Sequence, residues 1–168
     1  MVARKCFRFA SPCGKPMRGS SLMVNVVVRS PASSGAFLAV AMTPLLLLLS
    51  KTQSEQFAAV LLAFIGAICV GFGLQTGTCA QIITEWTVAH GFFGAAMVGL
   101  WVTPWIVPAA YVVHGFWDYA HHQNSRLAPI PLWYPPLCAV LDWVAAAILT
   151  TIWGACLIND IPQITLSK

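Results

Sequence analysis

The chain is 168 residues long, 58% hydrophobic and only 8% charged, with a mean hydropathy of +0.77. Soluble domains carry about a quarter charged residues, so this composition, with its long apolar runs, excludes an ordinary soluble domain and points to one integral membrane bundle. The net charge of +4 does not mark a nucleic-acid surface, because Arg4, Lys5, Arg8, Lys15, Arg18 and Arg29 crowd into an N-terminal stretch that has no acidic residue.

Residues 1–34 are basic and rich in Ser, Pro and Gly, and read as a disordered tail. The same composition also fits an organelle-type targeting segment, or a true start at Met17 or Met23. The first span is expected over residues 35–50, interrupted by Pro44, and extends back to Val24 if the Val-rich run joins it. Residues 51–56 read as a polar turn. The second span, 57–75, carries Gly66, Gly71 and Gly73, small residues that permit close helix approach. Residues 76–81 form the next turn and 82–101 the third span. Pro104 and Pro108 open the fourth, which runs to about 121, and residues 123–132 form a loop. Pro135 and Pro136 suit the first turn of a fifth helix that ends near 158.

The expected fold is therefore all-α: a tail (1–34), an integral membrane bundle of five transmembrane helices (35–160), or four if the first span is peripheral, and a C-terminal tail (161–168). The basic tail places the N-terminus in the cytoplasm. Five spans then put the 76–81 and 123–132 segments on the same inner side and the 51–56 turn outside. The cysteines, at 6, 13, 69, 79, 138 and 156, form no CxxC pair and read as small packing residues. The tryptophans mostly fall near span ends, as an interfacial aromatic belt does.

One stretch departs from this apolar pattern. Between Tyr111 and His122 the chain places His114, Asp118, His121 and His122. At 100° per residue, His114, Asp118 and His121 fall within an arc of about 60° on one helix face, with Tyr111 and His122 flanking it. Glu85, Asp118 and Asp142 each lie roughly 5–9 Å in from the inner end of their spans, which predicts a layered polar site built by three helices and opening to the inner face. Between residues 56 and 159 these three carboxylates face a single Lys or Arg, Arg126. An ionised carboxylate at mid-membrane costs about 2.5–3.5 kcal/mol even on the lenient insertion scale. The set must be protonated, wetted or neutralised by a cation, and the neighbouring imidazoles make a divalent metal ion a natural solution. The bland alternatives are local: a His–Asp contact within one helix, a carboxylate complementing a helix N-terminus, or interfacial histidines. His90, about 140° around its helix from Glu85, reads equally as packing or as a site member; with His114 it could face a haem, which nothing else supports. P-loop, GxGxxG, HExxH and GxSxG motifs are absent.

Gly71-Phe-Gly73, Gly91, the run His114-x-x-Trp117-Asp118-x-x-His121-His122, a Pro-containing loop and Cys138-x-x-x-Asp142 resemble a family of small integral membrane proteins of unknown function, over residues 56–158. The resemblance implies no activity or cofactor. It implies only that His114, Asp118, His121, His122, Cys138 and Asp142 belong to one set.

The leading functional expectation is a metal-dependent membrane enzyme acting on a lipid-phase or small amphipathic substrate. His114, Asp118, His121 or His122, and Asp142 would hold the metal, and Glu85 or Tyr111 would handle a proton. The expected surroundings are the lipid bilayer, with no nucleic acid. One alternative is a proton- or cation-coupled transporter or channel subunit, which at five spans would need to be a homodimer. Another is a structural or accessory subunit whose polar set fixes helix register.

Overall fold

A computed structural model describes residues 29–123 and 126–159, and all the regular structure among them is helical. Five helices follow in order: α1 (Pro31–Leu48), α2 (Lys51–Thr76), α3 (Cys79–Trp101), α4 (Ile106–Gln123) and α5 (Tyr134–Asn159). The expected five-helix, all-α architecture is present. The extension of the first span to Val24, most of the N-terminal tail and the C-terminal tail lie outside the described residues.

Helix starts take up all of the expected 51–56 turn and the second half of the expected 76–81 turn, where Gly77 and Thr78 still form the connection. Residues 51–56 are the opening of α2: the Ser50 hydroxyl accepts from the Gln53 backbone N–H while the Gln53 side chain reaches back to the Ser50 N–H. Thr78 and Gln81 do the same for α3. Each is a reciprocal capping box, which satisfies the orphan N–H groups of a first turn and lets polar residues begin a helix. α1 starts four residues before the expected span, at Pro31, where a missing N–H costs nothing. Pro44 lies inside α1 without ending it.

α1, α2 and α5 (over Tyr134–Ala155) are long and apolar enough to cross a membrane. α3 and α4, at 23 and 18 residues, have comparable length, but they carry Glu85, His90, His114, Asp118, His121 and His122.

An apolar core gathers Leu62 of α2, Phe92 of α3, Tyr111 of α4, and Ala146, Leu149 and Trp153 of α5. Trp153 therefore leaves the expected aromatic belt: it is buried, and its indole N–H donates to the Ser54 hydroxyl at 3.1 Å. Glycines set the closest helix approaches. A Cβ on Gly35 would run into the Leu137 backbone of α5, and one on Gly115 of α4 would lie 2.5 Å from Trp143 Nε1 and 3.0 Å from the Ala139 carbonyl. In α2, Gly66 faces Phe92 and Gly73 faces Glu85, whereas Gly71 faces open space. Two of the three expected close-packing glycines thus serve that purpose.

Candidate functional site

Among the described residues five polar side chains are almost completely buried, and four of them are ionisable: Glu85, His114, Asp118 and Asp142, each 1–2% accessible. α4 presents His114 and Asp118 on one face, as their i,i+4 spacing requires, with His114 Nδ1 3.4 Å from Asp118 Oδ2. α5 brings Asp142 against the same nitrogen: His114 Nδ1 is 2.6 Å from Asp142 Oδ2. A carboxylate there takes the Nδ1 proton in a hydrogen bond and leaves Nε2 with its lone pair, the arrangement by which a second carboxylate orients a metal-ligating histidine. Phe92 packs in a T-shaped contact with the imidazole, with ring centroids 4.6 Å apart. From α2 the Cys69 thiol donates to Asp118 Oδ1 at 3.8 Å. Cys69, His114 and Asp118 each offer a ligand atom, and those atoms all lie within 4.8 Å of one another.

A second pair adjoins this cluster. His121 Nε2 lies 2.8 Å from Glu85 Oε1, and His121 Nδ1 lies 3.1 Å from the Trp117 carbonyl. A carbonyl only accepts, so Nδ1 carries a proton. The short Nε2–Oε1 contact then requires one further proton shared between imidazole and carboxyl. Glu85 Oε2, His114 Nε2, Asp118 Oδ2, Asp142 Oδ1 and Trp117 Nε1 are buried without a hydrogen-bond partner. Buried polar atoms are nearly always satisfied, so these atoms are left for a proton, a water or an ion to partner.

The site is closed, not open to a membrane face as expected. Gln81 Nε2 donates to the Leu127 carbonyl at 2.7 Å and to the Arg126 carbonyl at 3.1 Å, and Thr76 Oγ1 donates to the Pro129 carbonyl at 3.3 Å. These bonds draw the α4–α5 loop across the ends of α2 and α3. Ala128 is buried there, and both it and Glu85 lie against the space above Gly73.

The expected site residues thus divide. His114, Asp118 and Asp142 come together, and His121 joins Glu85 beside them. His122 is exposed and contributes no atom to the cluster. The Tyr111 hydroxyl is engaged with the Ala58 carbonyl at 3.0 Å instead of a member of the cluster. His90 is exposed and bonds the Trp86 carbonyl of its own helix, so it cannot face His114 across a haem. The cluster draws on four helices, not three, because α2 supplies Cys69. The packing role given to the cysteines overlooked this: Cys69 is a buried free thiol at the cluster, Cys138 is a half-buried free thiol one turn before Asp142, and Cys79 is disulfide-bonded.

No family model, no curated protein and no solved structure matches the chain. The chemistry is therefore read from the geometry alone.

Proposed function

We propose that this chain is a metal-dependent integral membrane enzyme acting on a lipid-phase or amphipathic substrate, with Cys69, His114 and Asp118 as the metal ligands. The observation that carries the proposal is the convergence of thiol, imidazole and carboxylate within 4.8 Å, all three residues buried. A thiol in the donor set favours a borderline-soft ion such as zinc over magnesium or calcium, which take oxygen ligands. Three protein ligands leave a fourth position for water or substrate, the pattern of catalytic rather than structural zinc. A divalent ion held there supplies Lewis-acid polarisation and activated water for hydrolysis. Asp142 is a positioning residue for His114. The Glu85–His121 pair, which must share a proton, is the acid–base partner.

Residence in a membrane is supported on all five helices. Beyond the three long apolar helices, α3 and α4 expose Ile83, Phe93 and Trp101, and Val113 and Phe116, large side chains that a bilayer accommodates and water does not. In this reading the polar residues of α3 and α4 turn inward to the cluster while those helices span the membrane with the rest.

Metal analysis of the purified full-length protein tests the proposal. One divalent ion per chain is expected in the wild type, with loss in Asp118→Ala and His114→Ala. A fully folded wild type that is metal-free after metal-replete expression would end it. The two His–carboxylate pairs, on neighbouring helices, favour a second reading as a proton- or cation-coupled carrier. A pH jump across proteoliposomes containing the protein distinguishes this: flux abolished by Glu85→Gln supports the carrier, and the absence of flux rejects it.

A further inference from the structure

An apolar cavity of about 300 Å³ lies among α1, α2, α4 and α5. The space is partly open to the surroundings, and its volume falls at the lower end of the roughly 300–1,000 Å³ of small-molecule pockets, so it is large enough to take an occupant. Its position is informative. On α2 and α4 the lining stops about one turn from the polar cluster, with Ile65 before Cys69 and Tyr111 before His114, and on α5 it runs from Leu149 to Leu141, the residue next to Asp142. At 1.5 Å per residue the separations on α2 and α4 are roughly 6 Å and 4.5 Å along the helix. The apolar space therefore ends beside the buried polar centre.

We propose that the cavity receives the single alkyl chain of an amphiphile whose uncharged, hydroxyl- or carbonyl-bearing head meets the Cys69–His114–Asp118 centre. This names the substrate class for the enzyme reading above and rests on it. The chain assignment follows from a lining that is almost wholly aliphatic and aromatic, at a volume that suits one chain. The head assignment follows from charge. Glu85, Asp118 and Asp142 are all buried close by, and a phosphate would add like charge to them. A hydroxyl instead donates its proton to Asp142 Oδ1, which is buried without a hydrogen-bond partner, and a carbonyl oxygen is a natural ligand for the open metal position.

The test is photolabelling of the full-length protein in lipid nanodiscs with a monoacylglycerol that carries a mid-chain diazirine. Adducts are expected on residues 57–65 and 141–149. Ala145→Phe and Met42→Trp fill the cavity from α5 and from α1. Each excludes two or more methylenes and is expected to cut labelling about tenfold, with bound metal unchanged. In the wild type, which needs no substitution to fold, a fatty alcohol of equal chain length should compete and a lysophosphatidic acid should not. Adducts spread over the outward-facing Phe64 and Val113, or labelling indifferent to both substitutions, would overturn the chain site. Equal competition by the lysophosphatidic acid would overturn the head assignment. Metal is measured on the same samples, so cavity labelling in a metal-free wild type would sink the metal reading alone.

Discussion

His114 is the residue on which the site turns. Its ring meets Asp142 at 2.6 Å and Asp118 at 3.4 Å through the same nitrogen, and its other nitrogen is buried without a partner. If Asp142 orients the ring for metal, Asp142→Asn should weaken metal affinity about 10–100-fold, as loss of an outer-shell carboxylate does, while Cys69→Ser and Asp118→Ala should remove the ion. Competition with a fluorescent chelator measures the difference, and equal loss in all three would place Asp142 among the ligands. The sequence made His114 and Asp118 legible because one helix turn fixes which residues share a face. It also held the reason that His121 and His122 cannot both turn inward, since consecutive residues point about 100° apart. Cys69 was not legible. A lone cysteine in an apolar helix has the same local pattern whether it packs or ligates, and its partner Asp118 lies 49 residues away.

At the scale of elements, helix centres and types followed from composition and helix starts did not. The apolar runs located all five helices, but Ser50 with Gln53 and Thr78 with Gln81 are polar segments that read as turns until their reciprocal bonds are seen. The α4–α5 contact gives a direct check. Gly115→Ala places a methyl 3.0 Å from the rigid Ala139 carbonyl and 2.5 Å from the Trp143 indole nitrogen, so the two helices must separate. A cost of about 1–3 kcal/mol is expected, together with loss of the Trp143 N–H bond to the Val112 carbonyl. Because α5 carries Asp142 and α4 carries His114, metal affinity should fall with stability. Gly91→Ala has nothing within 4 Å of the new methyl and should leave the thermal midpoint in detergent nearly unchanged. Equal destabilisation by both substitutions would contradict the packing described.

Across the whole molecule, the buried carboxylates and the exposed apolar surface have the same origin. The bundle turns its polar groups inward and presents Phe37, Val60, Phe64, Phe93 and Val113 outward, the distribution that a bilayer as solvent demands. If all five helices span the membrane, as proposed, with the basic tail inside, residue 51 lies outside and residue 126 inside. Lys51→Cys should react with an impermeant maleimide from outside intact cells, and Arg126→Cys should react only after permeabilisation. Labelling of both from the same side would require an even number of crossings between them.

The measurement closest to the central claim is X-ray absorption at the edge of the bound metal in the purified full-length protein. A sulfur scatterer at about 2.3 Å with nitrogen or oxygen at about 2.0–2.2 Å is expected in the wild type, and neither the ion nor its sulfur shell should remain in Cys69→Ser. A wild-type spectrum with only nitrogen and oxygen neighbours, or a sulfur shell that survives Cys69→Ser, would contradict a Cys69–His114–Asp118 centre.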